Sequence, residues 1–278
     1  MTQTFSRSFS DMQEEERAGP ILAKAIARSG LCSRREAINI IKAGDVEVNG
    51  NVVTSCSTWL SVTDVVKVYG KEIDPHTPPQ IILFHKPKGY LTTKSDPLSR
   101  PTIYDLLPQD EFWQNISPVG RLDFSTEGLL VLTNDGEIKR FLELPANNIE
   151  REYRVRVHGP RVSDQQLEQL ARGLSVAGVQ YKGIDARFDD PRFEDREPKN
   201  QSNRWIAMVL REGKNREIRR VIESFGWEVT RLIRVKYGMF RLGMLQAGEV
   251  KPCPQRDLQQ MQMLMDKAYF NGKNKTRR

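Results

Sequence analysis

Hydrophobic positions along this chain recur with two different periods, and the changes between them mark out a small module followed by a larger one. In residues 19–73, Ile21, Leu22, Ala25 and Ile26 form the apolar stripe of a first short helix, closed by Gly30. Ser33 and Glu36 have capping-box spacing for a second helix, which buries Ile38 and Ile41 and ends at Gly44. DVEVNGNVV then alternates as strand, Asn-Gly turn and strand, and VTDVVKVYGKEI adds another pair. The predicted order is helix, helix, small sheet.

DPHTPPQ, residues 74–80, is a Pro-rich linker. Beyond it, residues 81–250 carry a longer series of elements. IILFHKP is a buried strand stopped by Pro87 and Gly89. LLVLT is another, after which Asn134, Asp135 and Gly136 turn the chain into the helix EIKRFLEL. EYRVRV places Tyr153, Val155 and Val157 on one strand face, which should bury the Tyr153 ring. Ser163 and Gln166 cap a helix with the stripe Leu167, Leu170 and Leu174, and the polar run 189–203 is a loop. WIAMVL is apolar throughout, as expected of a strand covered on both faces. Ile218, Val221, Ile222 and Phe225 give a helix ended by Gly226, and VTRLIRVKY is a late strand that sets Leu232, Arg234 and Lys236 on one face. Strands and helices mix without regular alternation, so the expected class is α+β with a mixed, mostly antiparallel sheet.

Composition narrows the partners. The 278 residues carry a formal net charge of +7, which favours an anionic partner such as nucleic acid or a membrane surface. No apolar run approaches the roughly 20 residues that span a bilayer, and residues 1–18 are polar and read as a disordered tail without a signal core. A cytoplasmic protein is expected, with no membrane partner. Cys32, Cys56 and Cys253 are far apart, as are His76, His85 and His158, so neither a disulfide framework nor a metal site is indicated. Residues 251–278 end in KNKTRR and read either as a mobile basic arm or as a solvated helix with a frayed end.

Arg34 and Arg35 fall in the first turn of the second helix, where the helix dipole disfavours cations by about a few tenths of a kcal/mol. Together with Lys24 and Arg28, one turn apart on the first helix, they form a basic face suited to phosphates, or else a solvated charged face. ILAKAIARSGLCSRREAINIIKAGDVEVNGNVV resembles an S4 domain, an RNA-binding module found in proteins of many functions. The resemblance implies an RNA partner and leaves the chemistry open.

VGRLDFSTEGLLVLTNDGE, residues 119–137, places Arg121, Asp123 and Glu127 in a Gly-bounded loop before a buried strand. Acids on loops held by rigid elements are active-site candidates. From the residues alone Asp123 could equally be a turn or cap residue, or half of a glycosidase acid pair. The segment resembles the signature of the pseudouridine synthases, in the branch that carries an N-terminal S4 domain and acts on ribosomal RNA. KPKGYLTTKSDPLSRPTIYDLLP, EREYRVRVHG and REGKNREIRRVIESFGWEVTRLIRVKYG extend the resemblance across the larger domain.

The resemblance implies that Asp123 is the nucleophile, that Tyr153 lies against the target base, that Arg219 ion-pairs with the catalytic carboxylate, and that Leu232 lines the pocket. It implies isomerisation of a uridine to pseudouridine, with the large ribosomal subunit favoured by likeness. That rearrangement needs no cofactor and no metal. The uridine must leave its stack, at a cost of about a few kcal/mol offset by RNA contacts. Arg100, Arg121, Lys214, Arg216 and Arg220, with Arg231, Arg234 and Lys236, are candidates for those contacts alongside the basic face of the first module. The expected partner is ribosomal RNA or a pre-ribosomal particle, bound by a monomer. The alternative is a non-catalytic S4-type RNA-binding or ribosome-assembly factor, for which Asp123 would be dispensable.

Overall fold

The computed structural model describes residues 19–159, 163–188 and 203–275. The segment 1–18 and nearly all of the expected loop 189–203 lie outside the described residues. Among the described residues, no helix is long and apolar enough to cross a membrane.

The chain divides into two compact units. The first comprises residues 19–80 together with Leu107–Ser117. Helices α1 (Leu22–Arg28) and α2 (Arg34–Ala43) precede strands β1 (Val46–Val48), β2 (Asn51–Val52), β3 (Val66–Val68) and β4 (Lys71–Ile73), which pair in the order β2-β1-β3-β4. Ser33 caps α2 by accepting from the Glu36 N–H, and Gly44 ends it in the left-handed conformation. Leu22, Ile26, Ile41, Val46, Leu60 and Val66 form the core between helices and sheet. A short helix α3 (Glu111–Asn115) belongs to this unit although it lies within residues 81–250 of the sequence. Asn115 donates to the carbonyls of Gly30 and Leu31, and a side chain at Gly30 would meet the Phe112 backbone. The two-residue β6 (Ser117–Pro118) follows α3 in the chain.

The second unit is built on a mixed sheet of β5 (Ile81–Lys86), β7 (Glu127–Thr133), β8 (Arg151–His158), β11 (Asp185–Phe188), β12 (Asn203–Leu210), β13 (Glu228–Tyr237) and β15 (Val250–Pro252), in the order β11-β12-β8-β13-β7-β5-β15. Every pairing on this path is antiparallel except β7 with β13. This is the α+β class that the irregular mixture of elements predicts. Helices α4 (Gly136–Glu143), α5 (Asp164–Arg172) and α6 (Glu217–Ser224) begin where Asp135, the Ser163–Gln166 box and the Arg216 turn place them. A hairpin of β9 (Leu174–Val176) and β10 (Val179–Tyr181) follows α5, so Leu174 lies on a strand and is not part of the helical stripe. A short β14 (Phe240–Arg241) folds back on β13.

Two cores lie along the sheet. One joins α5 and α6 to Val155, Val157, Ile206, Met208 and Leu232, and the other joins α4 to β5, β7, Tyr237 and Phe240. Ile206, Met208 and Leu210 of β12 are buried in the first core, but on the opposite face only Ala207 is buried, and Trp205 and Val209 on either side of it are partly covered. The strand is next to the sheet edge, so WIAMVL is not enclosed on both faces. Residues from 251 onward are not a free arm through most of their length. β15 pairs with β5, and α7 (Gln255–Lys275) buries Met261 in the second core with Leu258 and Met265 against it.

Candidate active site

The site begins with a constraint on β7. Gly128 has φ of +108° and pairs with Arg234 of β13, and a Cβ there would lie 2.3 Å from the Arg234 carbonyl. Only glycine permits this approach. The parallel contact is brief, covering Ile233 with Glu127 and Arg234 with Gly128. Arg234 is in turn the cross-strand partner of Tyr153 on β8. One row of the sheet therefore runs from Tyr153 through Arg234 to the start of β7, and the loop that enters β7 carries Asp123.

That loop is anchored along its backbone. The Gly120 N–H donates to Glu143 at 2.7 Å. Leu122 donates to the Thr92 hydroxyl at 3.2 Å, and its carbonyl accepts from the same hydroxyl at 2.8 Å. The Phe124 carbonyl accepts from the Gly89 N–H, and the Asp123 and Thr126 carbonyls both accept from the Lys86 ammonium, at 3.2 and 2.8 Å. The Ser125 carbonyl accepts from Arg219 at 3.2 Å. Six of the seven positions 120–126 are thus held through a backbone carbonyl or amide by groups on β5, the segment after it to residue 93, α4 and α6. The loop is rigid before any substrate arrives, which is what a positioned carboxylate requires.

The Asp123 side chain faces a cavity of about 600 Å³. Tyr153, Arg219 and Leu232 line the same cavity, so the four residues singled out for chemistry converge although they lie on four different elements. Leu232, Leu210 and Ile218 supply an apolar wall. Tyr153 is half-buried rather than buried, because its ring edges the cavity. Arg219 is buried, with its guanidinium spanning from the Val229 carbonyl (3.0 Å) to the Ser125 carbonyl. It makes no direct ion pair with Asp123; the two interact through space, and the carboxylate favours the charged guanidinium against the burial that lowers its pKa.

Lys86, fully buried at the end of β5, was not among the sequence candidates. Burial lowers its pKa to about 8, while Asp123 and Glu127 favour its charged form. The only signal in the sequence is a lysine closing an apolar strand before Pro87, where a solvated end is the ordinary reading. Glu217 was missed for the same reason. It is the first residue of α6, buried in the cavity wall, and burial pushes its carboxyl up to about 7. Lys139, Arg151 and Tyr237 complete the wall, with Arg151 donating to the Tyr237 hydroxyl.

The basic candidates separate into groups. Arg121, Lys214 and Arg216 are exposed at the cavity, which suits contacts to phosphates. Arg100 is clamped to Asp96 by two guanidinium hydrogen bonds and one from its backbone N–H, and neither it nor the exposed Arg220 lines the cavity. Arg234 is buried under the cavity, donating from Nε to the Leu129 carbonyl. A register shift between Arg234 and Lys236 turns Lys236 to the opposite face beside Glu150, so the three residues of the predicted strand face do not stay together. Arg231 also lies away from the cavity and pairs with Glu127. In the first unit, Arg34 and Arg35 are exposed on α2 and Lys24 and Arg28 are half-buried on α1.

Residues 80–224 match the family model of RNA pseudouridylate synthase, and residues 22–66 match that of the S4 domain. A Rickettsia felis protein described as an RNA pseudouridine synthase is 39% identical over 230 residues, 83% of this chain and 95% of that one. The ribosomal large subunit pseudouridine synthase B of Salmonella typhi is 41% identical over 226 residues, 78% of this chain and 73% of that one. A crystal structure of a pseudouridylate synthase aligns with a TM-score of 0.57 at 26% identity, covering 86% of this chain and 98% of that one. A carboxylate on a pre-anchored loop, facing a cavity with an apolar wall and a cationic rim, and a family match that spans this loop together agree: the chain belongs to the RNA pseudouridylate synthase family.

Proposed function

We propose that this protein isomerises a uridine of large-subunit ribosomal RNA to pseudouridine, with Asp123 as the nucleophile. The observation that carries the reading is the anchored loop, which presents the Asp123 carboxylate to a cavity that also holds Tyr153, Arg219 and Leu232. The reaction breaks the bond between N1 and C1′, turns the uracil, and joins C5 to C1′; C5 gives up its proton and N1 gains one, so substrate and product are isomers. It is neutral in redox and calls for no cofactor. It needs a group that starts the cleavage and walls that keep the detached base.

Asp123 starts the cleavage. Arg219, buried with its guanidinium on the Ser125 carbonyl, brings positive charge to the same side of the loop. The Tyr153 ring packs on the flipped base from one side, and Leu232 and Ile218 close the apolar wall that retains it. Arg121, Lys214 and Arg216 hold the flanking backbone, and the S4 module with Lys24, Arg28, Arg34 and Arg35 supplies further phosphate contacts. The relatives' names support the substrate class, and that of synthase B supports the large subunit. The protein acts as a cytoplasmic monomer on the RNA or on a pre-ribosomal particle. A non-catalytic RNA-binding factor would leave the anchored carboxylate without a purpose.

Asp123→Asn abolishes pseudouridine formation in large-subunit ribosomal RNA transcribed in vitro and leaves RNA affinity within about twofold, because the substitution removes a charge from the cavity and no contact from the rim. Substantial turnover by this variant overturns the assignment. Mapping pseudouridine in ribosomal RNA from cells lacking the protein identifies the target nucleotide.

A further inference from the structure

The turn Glu212–Arg216 enters α6 along the edge of the cavity and carries Lys214, Asn215 and Arg216 there. Its conformation is unusual: Arg216 adopts φ of +50°, and no side chain caps the helix. The turn is held from within by Glu217. One carboxyl oxygen of Glu217 accepts from the Lys214 N–H at 3.0 Å, and the Glu217 N–H donates to the Lys214 carbonyl at 3.3 Å. The other oxygen, Oε1, is buried and receives no hydrogen bond from a protein donor. The Glu217 carboxyl interacts with that of Glu212, which raises the pKa of Glu217 and lowers that of Glu212.

A buried carboxyl beside a second, partly exposed carboxylate resists ionising, since the two charges repel, and the pair holds one proton between them. Glu212 is the partner that stays ionised. Burial opposes its charge, but the Lys182 N–H (2.8 Å) and the Lys214 ammonium (2.9 Å) outweigh that and lower its pKa. Lys214 also reaches the Gln180 carbonyl and lies over the Tyr181 ring. Glu217 takes the proton and donates it to Glu212, which accounts for the oxygen without a donor. The other charges around the pair are Arg151 of β8, which donates to the Glu212 carbonyl at 3.4 Å, and Arg219, two residues further along α6.

We propose that Glu217 is a positioning residue for the RNA-binding edge of this cavity: its carboxyl, sharing a proton with Glu212, clamps the Glu212–Arg216 turn so that Lys214 and Arg216 meet the RNA backbone. The proposal rests on the pseudouridine synthase reading of the cavity. It makes RNA affinity sensitive to a single proton. Below neutrality the pair is closed and the turn is fixed. Above it both carboxylates carry charge, repel each other and loosen the turn. The burial that holds the Glu217 carboxyl near 7 places this transition in the working range of the protein.

The test compares the unmodified protein with Glu217→Gln, Glu217→Ala and Glu212→Gln, measuring KM, kcat and the Kd for unmodified large-subunit ribosomal RNA between about pH 5.5 and 8.5. For the unmodified protein KM and Kd rise about five- to tenfold in one single-proton step near neutrality, as expected for weakening one or two phosphate contacts, and kcat changes less. Glu217→Gln supplies a neutral donor to Glu212 and an acceptor for Lys214, so the step disappears and the low-pH affinity persists. Glu217→Ala shows the weaker affinity at every pH, and Glu212→Gln moves the step to lower pH. The same step in Glu217→Gln, unaltered affinity in Glu217→Ala, or a loss in kcat with KM unaffected overturns the proposal. The Kd series needs no turnover, so failure of the unmodified protein to form pseudouridine counts against the assigned reaction and leaves the clamp tested.

Discussion

The Lys86 ammonium donates to the Asp123 carbonyl at 3.2 Å, joining the last residue of β5 to the loop that carries the proposed nucleophile. The same ammonium reaches the Thr126 and Pro87 carbonyls. A fully buried cation is thus spent on three backbone acceptors, with the Asp123 carboxylate close enough to favour its charge. It sets where the loop passes through the site without standing in the cavity lining.

Lys86→Met keeps the volume and removes the donor. The three carbonyls lose a charged partner, and the expected loss of stability is about 1–3 kcal/mol in urea denaturation. The loss in kcat exceeds the loss in RNA affinity, by about tenfold or more, because the carboxylate is displaced while the rim is untouched. Unaltered kcat would show that the loop holds its position without the ammonium.

Lys86 also gives stability a pH signature. Its folded pKa of about 8 lies below the ordinary 10.5, so between those values the unfolded chain binds the proton and the folded chain releases it. Its contribution to stability therefore rises as pH rises through this window and is lowest below about 8. The difference between Lys86→Met and the unmodified protein, followed by urea midpoint, widens from pH 8 to 10.5 in favour of the unmodified protein.

Gly128→Ala places a Cβ against the Arg234 backbone at a positive φ. The β7–β13 contact must open, with a cost of about 2–4 kcal/mol from strain and displaced pairing, and isomerisation falls with it. Gly136→Ala is the control. It starts α4, has nothing within 4 Å of its added Cβ, and should leave the melting temperature equal or higher.

Met261→Ala distinguishes a packed C-terminal helix from a basic arm. Met261 is 1% exposed in the second core, so its truncation lowers stability by about 2–4 kcal/mol. The salt dependence of RNA binding should be unaffected. A thermal melt that does not move would place the helix off the core.

Much of the fold was legible because local periodicity reflects local burial. The S4 module is compact in sequence: its capped helix, left-handed Gly44 and Asn-Gly turn each act within a few residues, and the structure forms them where the pattern puts them. The departures have tertiary causes. The bulge after Arg234 breaks a strand alternation that looked continuous, because β13 must meet β8 on one side and the brief parallel contact with β7 on the other. WIAMVL reads as enclosed, but hydrophobicity does not say how near the sheet edge a strand will lie. Leu258, Met261 and Met265 are spaced for a helix face, yet a polar and basic segment hid it.

For the site, the order of residues was enough to say which chemical groups were available and, through the resemblance carried by the GRLD segment and its companions, that Asp123, Tyr153, Arg219 and Leu232 belong together. Residue spacing could not bring them to one cavity, since they come from a loop, two strands and a helix spread over 110 positions of chain. Packing did so, through the glycine at 128 that lets β7 touch β13 and the backbone anchors from Lys86, Thr92 and Arg219. It alone also separated the basic residues at the rim from those on the opposite face, and buried Lys86 and Glu217, which are ordinary surface residues by type. The physical reason is that burial and long-range hydrogen bonds set the electrostatics of a side chain, and neither is written in its neighbours along the chain.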